Sequence, residues 1–202
     1  MAQHACEPLE PGYRLHHGLR VGGLAVSLGK RLGVPRSQLD ELYVAGVVHD
    51  VGKSGYRGTD AHGPRGEAIV RARLTEWLTQ DEMERVARMV AHHYERPRSH
   101  WYKGRTPPQW SDDILILQDA DILDHYGMTF VWSALLKARK DGLSPIEMLD
   151  TFWRSKRERD VRDESYRSLN FKESRVELKL RFEKAELFFR ALFEEQTGEF
   201  TE

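Results

Sequence analysis

The chain alternates short polar or glycine-bearing breaks with segments in which apolar residues recur every three or four positions, the spacing of a helix with one buried face. Over about 13–32, Val21, Leu24, Leu28 and Leu32 form such a stripe, and His17 lies on it. Gly33 and Pro35 stop this helix, and Ser37 is a suitable N-cap for the next. The second segment carries Leu39, Leu42, Tyr43 and Val47 and runs into His49-Asp50. Five glycines at 52, 55, 58, 63 and 66 predict a loop. Helices are expected at about 65–79 (Ile69, Leu74, Trp77, Leu78) and 81–93 (Met83, Val86, Met89, Val90), the latter ending on His92-His93. After a proline-broken stretch at 94–111, Ser111 caps a helix through Ile114, Leu117 and Leu123, which Gly127 ends. Two more follow at about 129–140 and 145–160, the latter with Ser144 as N-cap and Pro145 in its first turn. The last, about 172–196, bears Val176, Leu178, Phe182, Leu187, Phe189, Leu192 and Phe193. No repeat and no alternating strand pattern breaks this rhythm, so the fold class is all-α.

Composition narrows the class. A chain of 202 residues can bury its own core. Its net charge of −1 argues against general nucleic-acid binding. No apolar run approaches the roughly 18 residues of a membrane span. Cys6 is the only cysteine, which excludes an intrachain disulfide and thiolate metal sites. The N-terminus shows no basic start followed by an apolar stretch. A soluble cytoplasmic protein of bacterial type is the expectation.

Chemistry concentrates around His49-Asp50. Neighbours on a helix point about 100° apart, so both grip one ion only where it lies between those directions, as at a helix end. Gly52 leaves room there. Lys53 is i+4 from His49 and i+3 from Asp50, on the same face, where its ammonium can meet an anionic ligand. A histidine and an aspartate in an apolar run are costly to bury unless something pairs with them. His17, His92 and His93 also fall on or at the ends of predicted helices, Asp121 interrupts another, and His62 lies in the glycine-rich loop. Imidazoles and carboxylates without thiolates suit manganese, iron, zinc or nickel.

The order His17, His49-Asp50, Asp121, with "HDVGK" and "QDADILD", resembles the HD-domain metal-dependent phosphohydrolase superfamily over roughly 13–140. The tail through "YRSLNF" is similar to small stand-alone members. The motif "HGLRV" selects His17 over His16, and "ADILD" selects Asp121 over Asp119 and Asp124. Two-metal members add histidines between the doublet and the last aspartate. His62 in "HGPRGEAI" resembles the first of these, and His92 or His93 the second. The Gly-Tyr-Pro signature of cyclic-dinucleotide phosphodiesterases is missing after His93, where "ERPRSHW" stands, and no synthetase region of the (p)ppGpp enzymes is found.

The resemblance implies a compact multi-helix HD bundle. Residues 13–140 would form its metal-binding core, with 141–202 packing on it as C-terminal helices of one structural domain. It further implies metal-dependent hydrolysis of a phosphate ester or anhydride, with a nucleotide the expected small-molecule substrate. One or two divalent ions are expected, drawn from manganese, iron, nickel, zinc or magnesium. His17, His49, Asp50 and Asp121 would hold the principal ion, and His62 with His92 or His93 a second. Asp50 would bridge them, and Lys53 would stabilise phosphoryl charge. Arg96 and Arg98, in a basic stretch, are candidates for phosphate contacts. The aromatic stripe Phe182, Phe188, Phe189, Phe193 is expected in the core or a homodimer interface. Two other readings share the ligands: a mixed-valent di-iron oxygenase, and a non-catalytic module binding nucleotide or metal.

Overall fold

The computed structural model describes residues 10–54, 62–96, 109–158 and 166–198. Every regular element among them is helical. They divide into two compact units, one of Arg14–Asp124 with Arg167–Ser174, the other of Met1–Tyr13, His125–Tyr166 and Arg175–Glu202.

The first unit takes nearly all of α1 (Tyr13–Arg31), then α2 (Arg36–Val48) and a 3-10 turn (Val51–Lys53). After these come α3 (His62–Arg73), α4 (Gln80–His92) and α5 (Asp112–Asp124). Gly33, at φ +76°, ends α1. Its amide donates to the Lys30 carbonyl, and the Val34 amide donates to that of Gly29. This paired bonding closes a helix C-terminus and needs a left-handed residue, which glycine adopts without penalty. Pro35 then sets an extended entry, and α2 begins at Arg36 with Pro35, not Ser37, as its N-cap. Helix α4 starts with a capping box: Thr79 accepts from the Glu82 amide while Glu82 reaches back to accept from the Thr79 amide.

Backbone contact, more than side-chain bulk, brings α1 and α2 together. A Cβ on Gly18 would lie 2.3 Å from the Val47 carbonyl oxygen, and one on Gly46 2.5 Å from Gly22 Cα. The same device joins the 3-10 turn to α3 and α3 to the end of α4. There a Gly52 Cβ would meet the His62 carbonyl at 1.9 Å, and a Gly63 Cβ the Ala91 carbonyl at 2.2 Å. Two of the glycines expected to make a loop are therefore contact points, and His62 opens a helix. Below them lies an apolar core of Val21, Leu42, Val86, Met89, Ile114 and Leu117, with Phe171 packed against it.

The second unit contains α6 (Met128–Asp141), α7 (Pro145–Glu158) and most of α8 (Lys172–Thr197). Helix α6 thus groups with the two helices that follow it. Gly142, at φ +69°, closes α6, and Ser144 with Glu147 forms a capping box on α7. The core here is Val131, Met148, Leu149, Ala185 and Phe189, with the Phe152 ring stacked 4.0 Å from that of Phe189.

Candidate metal centre

Four helix ends or faces of the first unit converge. His17 comes from the first turns of α1, His49 and Asp50 from the end of α2, His93 from just past α4, and Asp121 from the last turn of α5. His17, His49 and His93 are almost completely buried, and Asp121 nearly so. Lone polar groups at such depth would be costly, so their partners decide what the cluster is.

Each of these imidazoles is oriented from behind. His49 Nδ1 lies 2.7 Å from the Gly46 carbonyl, and His93 Nδ1 2.7 Å from the Val90 carbonyl. A carbonyl can only accept, so both Nδ1 atoms carry the hydrogen and both rings turn Nε2 forward. His17 Nδ1 donates to Asp124 at 2.7 Å, and Arg20 grips the same carboxylate at 2.8 and 3.1 Å. This is the outer-shell arrangement that aims metal-binding histidines.

In front, the Nε2 atoms meet carboxylate oxygens. Asp121 Oδ1 lies 3.3 Å from His17 Nε2 and 3.7 Å from His49 Nε2. Asp50 Oδ1 lies 3.6 Å from His49 Nε2, 3.5 Å from His93 Nε2 and 4.0 Å from His62 Nε2. Two overlapping donor groups result, His17–His49–Asp121 and His49–Asp50–His93, sharing His49. His62 adjoins the second, its Nε2 3.2 Å from that of His93 and its ring packed on Tyr94.

The titration behaviour follows from this geometry. Burial pushes the His49 imidazole down to about 4, against the opposing pull of Asp50 and Asp121. It is therefore neutral, and its Nε2 makes no hydrogen bond. Burial also disfavours charge on His17, but Asp121 and Asp124 more than reverse this and raise its pKa to about 9. For Asp50, burial acts upward, yet His49, His93 and Lys53 hold the carboxyl well below the usual range. A neutral imidazole whose lone pair faces two carboxylate oxygens is an acceptor set against acceptors. A cation between them satisfies all three, so the donor set fits a divalent metal.

The other candidate residues divide. Lys53 reaches Asp50, its Nζ 2.7 Å from the carboxylate. Arg96 places its guanidinium on Asp121 Oδ2. His92 does not join the cluster: its ring stacks on Trp110 at 4.3 Å and its Nδ1 lies 3.2 Å from Glu95. Arg98 lies outside the described residues. Asp124 and Arg20 carry the support for His17. Their signal was spacing, since Asp124 is i+3 from Asp121 and Arg20 is i+3 from His17.

Residues 14–126, more than half of the chain, match the HD domain. The chain belongs to the HD-domain family. No curated protein matches it. Among solved structures, Bacillus subtilis YpgQ in complex with ADP is similar at 18% identity over 97% of each chain, with a TM-score of 0.58. An HD-superfamily hydrolase from Bacillus thuringiensis is 18% identical over 97% of this chain and 93% of its own, with a TM-score of 0.60. A predicted HD superfamily hydrolase from an uncultured Thermotogales bacterium is 18% identical over 96% and 88%, with a TM-score of 0.58. These likenesses are of fold. The HD-domain match coincides closely with the unit that holds the His/Asp cluster.

Proposed function

We propose that this HD-domain protein is a metal-dependent hydrolase of phosphate esters or anhydrides, with a nucleotide as substrate. The observation that carries the reading is His49: a buried, neutral imidazole whose Nε2 has no hydrogen bond and lies between Asp50 and Asp121. His17, His49, Asp50 and Asp121 would hold the principal ion, and His62 with His93 a second. A divalent ion in this place supplies Lewis acidity, making hydroxide accessible near neutral pH and offsetting phosphoryl charge.

The chain's own residues supply the rest. Asp50, whose Oδ1 faces three imidazoles, is the carboxylate suited to bridge two ions. Lys53 and Arg96, partly exposed at the edge of the cluster and paired with Asp50 and Asp121, would offer positive charge to the phosphoryl oxygens of a bound substrate. Arg98 is proposed to assist them on its place in the sequence alone. YpgQ has been crystallised with ADP, which supports a nucleotide as the ligand class.

The test pairs elemental analysis of the untagged protein as isolated with phosphate and pyrophosphate release from a nucleotide panel in added manganese. About two equivalents of metal with release are expected of a two-ion hydrolase. Bound iron with oxygen uptake and no release would overturn the hydrolytic reading in favour of an oxygenase.

A further inference from the structure

One buried polar side chain of the first unit has no part in the donor set, yet touches the backbone on which part of that set is carried. Gln118 on α5 is fully buried. Its Nε2 donates to the His92 carbonyl and to the Glu95 carbonyl, each at 3.1 Å. Both partners can only accept, so the amide's orientation is fixed by chemistry. The His92 carbonyl ends α4 and also accepts from the Glu95 amide, and the Glu95 carbonyl lies just past the helix end. Between them stand His93 and Tyr94, and Arg96 follows directly.

The other end of the amide is held as well. Gln118 Oε1 accepts from Asn170 Nδ2 at 3.4 Å, and Asn170 is in turn fixed by Asp119, which accepts from its amide and side chain at 2.9 Å. Asp119 also accepts from the Phe171 amide at 3.1 Å. A chain of bonds thus runs from the 167–174 segment through α5 to the turn bearing His93. A glutamine is what this place requires, with two hydrogens for two carbonyls, one oxygen for Asn170 and no charge to bury.

We propose that Gln118 is a positioning residue of the metal centre, locking the His92–Glu95 turn so that His93 meets Asp50. The proposal rests on the metal-centre reading and adds a division within it. His17, His49 and Asp121 stand on α1, α2 and α5, and the Arg96 contact on Asp121 Oδ2 is what links this group to the turn at the end of α4. The group His49–Asp50–His93 takes a ligand, His93, from that turn itself. Loss of the amide therefore weakens this donor group more than the other.

The test titrates the full-length, metal-stripped protein with cobalt(II), following heat and the visible absorption of the bound ion. Wild type is expected to show two binding steps. Gln118→Met, which keeps the volume and loses both donors, is expected to weaken one step by about 10–100-fold, the usual cost of removing an outer-shell partner. The other step should stay within the same order of magnitude. Asn170→Ala, further along the chain of bonds, is expected to move the same step by less. Val86→Ala serves as the control for general loosening of α4, since it empties core volume on that helix without touching the turn. It should lower thermal stability and leave both steps alone. Equal weakening of both steps in Gln118→Met, no weakening in either, or a matching change in Val86→Ala would overturn the proposal. So would a wild type that takes a single ion, since the division needs two separable groups. A wild type that takes no ion would instead remove the metal centre itself.

Discussion

Helices α5 and α8 both carry several acidic residues, and they place them in opposite ways. In α5, Gln118, Asp119, Asp121 and Asp124 are buried along with Ile114, Leu117 and Leu123, so the helix is enclosed on nearly every side. In α8, burial falls on Leu178, Ala185 and Phe189, while Glu183 faces outward beside Lys179 and Glu177 is half-buried beside Arg181. Exposed i,i+4 pairs of this kind contribute little. Buried carboxylates must be matched by donors or the fold loses stability. Asp119 is matched by the amides of Asn170 and Phe171, and Asp124 by His17 and Arg20. Asp121 takes the Arg96 guanidinium on Oδ2 and lies beside His17, yet its Oδ1 also confronts the lone pair of His49. An acid on a solvated face reports on solubility, whereas an acid in an enclosed helix reports on chemistry.

Substitution within the donor set should have the largest effect. His49→Ala or Asp121→Ala is expected to abolish metal-dependent turnover and strip at least one ion, with helical circular dichroism largely retained. Wild-type-like turnover in both variants would sink the assignment. Next in size is a change confined to the second unit. Phe189→Ala should cost about 3–5 kcal/mol of stability, the usual loss for a buried phenylalanine. Metal affinity measured below the melting transition should not move, and a large change there would blur the contrast between the two helices. Asp124→Asn comes third. It leaves the shape of α5 intact but weakens the hold on His17 and unpairs the Arg20 charge, so metal affinity should fall by about 10–100-fold and the melting temperature should drop as well. The smallest effect belongs to α8: Lys179→Ala should change stability by no more than about 0.5 kcal/mol in chemical denaturation.

The helices were legible in the sequence because their apolar spacing is regular, and the His49-Asp50 doublet stood out because two ionisable residues interrupted an apolar run. Other features were hidden for definite reasons. Glycine signals a loop in a linear reading, yet Gly52 and Gly63 serve close backbone approach, which depends on segments distant in sequence. His92 and His93 point in directions about 100° apart, so one of them was bound to face away, and the dipeptide does not say which. Packing against Trp110 takes His92 out of the cluster. Gln118 gave no signal at all, since its partners are backbone carbonyls that every residue possesses.

The central claim is that a neutral, rear-anchored His49 and its neighbours turn their Nε2 atoms toward a cation. It is tested most directly by nitrogen-15 spectroscopy of the histidine rings at pH 7, before and after one and two equivalents of zinc. Without metal, His49 should carry its hydrogen on Nδ1. His17, with a pKa near 9, should be doubly protonated. With zinc, the Nε2 resonances of His17, His49 and His93 should shift, Nδ1–H should persist in all three, and His17 should release its Nε2 proton. Binding should therefore tighten as the pH rises toward 9. A His49 protonated on Nε2, or three rings indifferent to zinc, would contradict the account.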